Sequence, residues 1–221
     1  MRNIRACILL LTVYSLTLLI SGCSKPVDDR ANVMFVNACA GSNRIYAWAN
    51  KTKVVGATNI DYTKSSNYQK FPQGRSTVNF YYSVNADSLC GGGYLFNTGE
   101  HYTLYAGGLN TAPTFVVTND DLTPPATGNA RVRFINLSSD VAAEDFTVGT
   151  QSLVTGLANG SSSSFYDVTA GTQTVKGSGT GSTVSASMKL DAGQIYTVLL
   201  TGSQAVTSGN QALTISYVAN K

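Results

Sequence analysis

The strongest constraint on this chain is that it nearly repeats itself. Ala31-Asn32-Val33-Met34-Phe35-Val36-Asn37 aligns with Ala130-Arg131-Val132-Arg133-Phe134-Ile135-Asn136. Pro72-Gln73-Gly74-Arg75-Ser76-Thr77-Val78 aligns with Thr169-Ala170-Gly171-Thr172-Gln173-Thr174-Val175, and Gly99-Glu100-His101-Tyr102-Thr103-Leu104 with Gly193-Gln194-Ile195-Tyr196-Thr197-Val198. The offsets shrink from 99 to 97 to 94 residues, as they do when loops change length between strands kept in one order. A repeat of this length makes each copy the unit of folding. The reading is two domains, 31–122 and 129–221, with the boundary near residue 125 in the proline-bearing polar stretch Thr118–Gly128.

Within each copy the hydrophobic period is two. Arg131-Val132-Arg133-Phe134-Ile135 alternates polar and apolar, and Phe165–Val168, Thr172–Lys176 and Val184–Leu190 do the same. Ile195-Tyr196-Thr197-Val198-Leu199-Leu200 is continuous, the pattern of a strand covered on both faces. Glycines punctuate these runs, and no capped stripe of helical period appears. Seven or so short strands in about 90 residues predict an all-β chain of two tandem immunoglobulin-like β-sandwiches, with a small barrel as the alternative.

Arg131–Val148 also resembles the opening of the DUF4397 family: a strand, a serine-x-aspartate loop at Ser138-Ser139-Asp140, then a second strand ending near Gly149. Asp191-Ala192-Gly193-Gln194-Ile195-Tyr196-Thr197-Val198 is similar to the family's later strand. In the first copy Ala38-Cys39-Ala40-Gly41-Ser42 replaces the serine-aspartate loop. The resemblance implies an exported, often lipid-anchored β-sandwich protein of unknown role, and it brings no catalytic residues.

The N-terminus predicts the same compartment. Arg2 and Arg5 precede an apolar stretch from Ala6 to Ile20, shorter than the roughly 20 residues a spanning helix needs and built like a secretory signal. Leu19-Ile20-Ser21-Gly22-Cys23 resembles the bacterial lipobox. The expectation is a signal peptide at 1–22, lipid on Cys23 and a tether over 23–30. Such a chain is a lipoprotein held to a membrane, in the outer membrane of the cell envelope, on its periplasmic or surface side. A seven-residue arm spans at most about 25 Å, which predicts the first domain close to the membrane and the second outermost.

Charge and cysteine content exclude several roles. Without Arg2 and Arg5, thirteen Lys and Arg face twelve Asp and Glu, so no basic footprint for nucleic acid is present. Cys7 leaves with the signal, and Cys39 and Cys90 are expected to pair as a disulfide outside the cytoplasm. No metal site and no cofactor are expected, because zinc wants four ligands and His101 is the only histidine.

Catalysis finds no constellation either. His101 sits on an alternating strand with no serine elbow near it. Glu144 and Asp145 are neighbours that must point to opposite faces, Asp120-Asp121 falls in the linker, and Gly177–Ser182 reads as a hairpin loop. The chain is read as no enzyme. One asymmetry stands out: the first copy holds eight tyrosines and Trp48, the second only Tyr166, Tyr196 and Tyr217. Adjacent Tyr81 and Tyr82 face opposite ways, so some rings must be exposed. Trp48, Tyr46, Tyr81 and Tyr82 are therefore the candidate binding surface, for a glycan or an envelope protein; the alternative is a structural or adhesion spacer. Oligomeric state is not legible.

Overall fold

A computed structural model describes residues 28–220; the signal, Cys23 and most of the tether lie outside them. The described chain is all β. The first half comprises β1 (Ala31–Asn37), β2 (Arg44–Ala49), β3 (Thr52–Lys53), β4 (Ile60–Asp61), β5 (Lys64–Ser65), β6 (Gln69–Phe71), β7 (Gly74–Tyr82), β8 (Ser88–Phe96), β9 (His101–Leu109) and β10 (Ala112–Asn119). The second comprises β11 (Asn129–Ser138), β12 (Ala143–Val148), β13 (Gln151–Ala158), β14 (Tyr166–Thr169), β15 (Gly171–Gly179), β16 (Ser182–Leu190), β17 (Ile195–Gly202) and β18 (Thr214–Ala219).

Each half is a sandwich of two sheets, as the alternation predicts. In the first, β10-β9-β1-β5, with β6 also on β1, packs on β3-β2-β7-β8, with β4 on β2. In the second, β14-β11-β17-β18 packs on β13-β12-β15-β16. Each contains one parallel pair, β1 with β9 and β11 with β17, which local pattern does not announce.

The two halves use the same polar devices at matching positions. Asn37 Nδ2 donates to the carbonyls of Asn43 and Ile60 (3.2 and 3.1 Å), and Asn136 Nδ2 to those of Val141 and Leu157 (3.0 and 3.2 Å). Both asparagines are fully buried and tie down the loop after their strand. The Tyr102 hydroxyl accepts from Asn97 N and the Tyr196 hydroxyl from Asp191 N, five residues back in each case. Asp140, of the serine-aspartate motif, accepts from Ser203 Oγ (2.6 Å), Gln204 N (2.9 Å) and Ala205 N (3.1 Å). A serine also bonds the buried asparagine in both halves, Ser42 Oγ donating to Asn37 Oδ1 at 2.8 Å and Ser138 Oγ to Asn136 Oδ1 at 2.7 Å.

The sheets containing β1 and β11 are buried on both faces, and this fixes the arrangement of the halves. Val33, Phe35, Tyr102 and Leu104 point into the first core, and Val132, Phe134, Val198 and Leu200 into the second. The alternate residues Met34, Val36, Tyr105, Ile135, Leu137, Leu199 and Val218 form a third core between the halves. The molecule is therefore four sheets deep, with the continuous run Ile195–Leu200 in one middle layer. The two halves thus pack against each other along these sheets. Asp120 N donates to His101 O at the start of β9, while Tyr62 meets Thr201 and Asn110 meets Gln211 at the other end. The halves lie side by side with equivalent ends together.

The stretch between the halves is not a free linker. Asp120 is 4% exposed and forms an ion pair with Arg133, itself 2% exposed. Arg133 also donates to Thr197 Oγ1 (2.9 Å), Tyr105 Oη (3.0 Å) and Asn119 O (3.0 Å). The second oxygen of Asp120 accepts from Tyr68 and Thr103, both at 2.5 Å, so every polar group of the pair has a partner and its desolvation is offset. Arg131 straps Asp121 and Thr123 to the second half. The end of the tether is held too: Asp28 pairs with Arg30 and Lys70 at 2.8 Å, and Thr98 Oγ1 donates to Asp29 O.

Candidate functional site

The candidate surface lies on the outward face of the β3-β2-β7-β8 sheet. Strand alternation sends Ile45 and Ala47 into the core and leaves Arg44, Tyr46 and Trp48 outward; on β7 it turns Phe80 in and Tyr81 out. Cross-strand register sets Tyr46 against Tyr81 and Trp48 against Asn79. The result is an aromatic cluster. The Tyr46 and Tyr81 rings stack at 5.6 Å between centroids with 16° between planes, and Trp48 lies 5.8 Å from Tyr81 at 56°.

The faces of these rings are not equally free. The Lys53 ammonium sits 4.6 Å over Tyr46 from the β3 side while Tyr81 covers it from the β7 side, so Tyr46 serves as a support. On β8, Tyr81 has Ser88 opposite it, while Gly91 and Gly93, opposite Asn79 and Thr77, carry no side chain. There Asn79 and Arg75 lie over the strand: a Cβ at Gly91 would meet Asn79 Oδ1 at 2.2 Å, and one at Gly93 would lie 3.8 Å from the Arg75 guanidinium. An aromatic wall beside a low floor of an amide and a guanidinium joins apolar contact to directional donors, the mixture typical of recognition surfaces.

Tyr82 does not belong to this surface. The alternation that exposes Tyr81 turns Tyr82 toward the first core, where its hydroxyl donates to Asn110 O at 3.2 Å. The expected disulfide is also not formed. Cys39 and Cys90 are free thiols; Cys39 is fully buried, and Cys90 Sγ is aimed at Thr114 O, 3.3 Å away. Burial pushes each thiol up to about 12, which disfavours the thiolate.

A residue missed by sequence reasoning is Ser83, just beyond β7. Among the described residues, four buried side-chain polar atoms lack a hydrogen-bond partner: Trp48 Nε1, Ser83 Oγ, Glu144 Oε1 and Ser216 Oγ. Two of the four fall on β2 and beside β7, on the sheet carrying the aromatic cluster. No sequence signal marks Ser83, because its importance comes only from where the sheet ends.

Elsewhere the chemistry is structural. His101 packs edge-on against Tyr68, ring centroids 5.2 Å apart, and burial holds its pKa down. Among the described residues no cluster of three or more His, Cys, Asp or Glu could hold a metal ion. Glu144 and Asp145 do point to opposite faces: Asp145 accepts from Gly156 N at 2.6 Å, whereas Glu144 is fully buried and takes Ser182 Oγ at 2.6 Å. Burial raises the Glu144 pKa. Its carboxyl fits because Gly177 and Gly179 have no Cβ, which would sit 2.7 and 2.4 Å from its oxygens. Gly179 and Ser182 flank a tight hairpin turn, as the sequence predicts.

The family model described as Domain of unknown function (DUF4397) matches residues 31–145, the whole first half, β11 and the start of β12. It thus covers the half whose Ala38–Ser42 loop departs from the motif. No curated protein matches the sequence. Among solved structures, a similar one is the CBMbc module (family CBM26) of Eubacterium rectale Amy13K in complex with maltoheptaose, at 8% identity over 86% of this chain and 95% of that one. The TM-score is 0.27, and a likeness that weak carries no argument.

Proposed function

We infer that this chain, which belongs to the DUF4397 family, is a membrane-tethered binding module of the cell envelope that works without catalysis. Its contact surface is the Tyr46–Trp48–Tyr81 face, and its partner is a glycan or another envelope protein. The observation that carries this reading is the cluster itself: three aromatic rings converge on one outward sheet face beside glycine-floored polar groups. A stable fold has no need of such a cluster there, since the core beneath is complete without it. The tether is Cys23, lipidated after removal of residues 1–22, and the two halves are copies of one ancestral unit. With the halves side by side, a short arm holds both near the membrane and leaves the aromatic face turned sideways, open to the envelope.

Two measurements test this. Mass spectrometry of the mature chain should find an acylated Cys23 as its first residue, and an unmodified Cys23 removes the tether from the reading. Retention on immobilised envelope polysaccharides and envelope proteins should be lost in Trp48→Ala and Tyr81→Ala, with the thermal midpoint lowered by only a few degrees. Retention equal to that of the parent chain overturns the surface assignment. The Arg133–Asp120 latch favours a second reading as a rigid spacer, in which Trp48→Ala would fully complement a deletion.

A further inference from the structure

At the end of the molecule away from the tether, the aromatic face runs into a cleft of about 610 Å³, within the range of small-ligand sites. Arg44, Asp61, Tyr62 and Ser83 line it from the first half, and Asn210 from the second. Arg44 is two residues before Tyr46 on the same face of β2, about 7 Å along the strand; Ser83 is two residues after Tyr81. Cluster and cleft are therefore one continuous surface. The two halves close it together, Asn210 Nδ2 reaching Asn43 Oδ1 at 3.4 Å.

We propose that this cleft is the terminal subsite for a neutral oligosaccharide whose chain continues along the Trp48–Tyr81 face, a proposal that rests on the binding-module reading above. The chemistry of the lining selects that class. The Arg44–Asp61 pair is closed at 2.8 Å and carries no net charge, so a charged group finds no unopposed partner. Asn43, Asn59 and Asn210 offer amides, each both donor and acceptor, matched to hydroxyl groups that do the same. Ser83 lines the cleft itself, and Trp48 stands beside Tyr81 at the other end of the aromatic face.

Calorimetric titration of the intact mature chain in detergent tests it, with gluco- and manno-oligosaccharides of two to six units and a hexagalacturonate as charged control. Affinity should rise with length. Asn210→Ala and Ser83→Ala should each weaken the longer oligosaccharides about ten-fold while leaving the disaccharide unchanged. Trp48→Ala should weaken all lengths. Unaltered hexasaccharide binding by Asn210→Ala overturns the cleft as a subsite and leaves the aromatic-face reading intact. Tighter binding of hexagalacturonate overturns the neutral class. Absence of binding by every saccharide overturns the proposal, and loss of an envelope-protein partner in Trp48→Ala would then uphold the surface reading alone. Asn210 lies in an exposed loop, so an unchanged thermal midpoint verifies that its variant folds.

Discussion

The outward faces of the two outer sheets are built on one register and furnished differently. Tyr46 pairs with Tyr81 in the first half, and Asp145 pairs with Ser178 at the same place in the second. Trp48 faces Asn79 where Thr147 faces Lys176. Beneath these faces the buried asparagine and the tyrosine five residues after its donor recur nearly unchanged. The scaffold thus fixes where side chains stand, and the halves differ in what stands there. Aromatic rings cover the first face; Asp145, Thr147, Lys176 and Ser178 cover the second. One inward position differs too, with Ile45 in the first core where the second holds Glu144.

The comparison can be broken at its joint first. Arg133→Ala leaves the Asp120 carboxylate buried without its cation, and a loss of about 3–5 kcal/mol is expected. Denaturant unfolding followed by Trp48 fluorescence, which reports on the first half, should shift as far as unfolding followed by circular dichroism. Divergent shifts would mean the halves are independent bodies. Next, Asn37→Ala and Asn136→Ala should each cost about 2 kcal/mol, since each strands two buried carbonyls; unequal losses would show that the matched devices are not equivalent.

Glu144 gives a smaller effect with a defined sign. Burial raises its pKa in the folded chain, so the folded state holds its proton more tightly than the unfolded one. Its contribution to stability is then greatest below the unfolded value, near 4.5, and falls as pH rises through the folded value. Glu144→Gln removes the buried negative charge, so it should stabilise the protein at pH 7 by about 1 kcal/mol and flatten this slope. A slope identical to that of the parent chain would exonerate Glu144. The smallest effect is chemical: Cys39 and Cys90 should resist thiol reagents at pH 8 in the folded chain, and both should react after denaturation. Any deficit in thiols after denaturation would mean that they pair.

Much of the fold was legible because strands write their burial in a period of two. Val132, Phe134 and the run Ile195–Leu200 point to their layers directly. Arg133 shows the limit. Its alternation marks it as a residue facing away from its own core, and only the packing of a second sandwich turns that outward face into an interior. A polar residue facing water and one facing a buried partner carry the same letter. The candidate site was half legible for a similar reason. Excess tyrosine and Trp48 identified the half, and parity separates Tyr81 from Tyr82. Ser83 and the cleft depend on Asn210, more than a hundred residues away, and no local pattern encodes that approach. Cys39 and Cys90 suggest a disulfide by count alone, yet both stand as free thiols, with Cys90 near enough to help raise the Cys39 pKa.

The parallel pairing of β1 sets an order of events in time. Asn32 and Phe35 must wait for His101 and Leu104 before their ladder can close. The far face of their sheet stays uncovered until β11 and β17 arrive from the second half. Contacts so distant in sequence make folding slow, and an unclosed strand is an invitation to aggregation. The first strand to emerge during synthesis is thus among the last to be protected. A chain built this way becomes compact only once its final strands have followed.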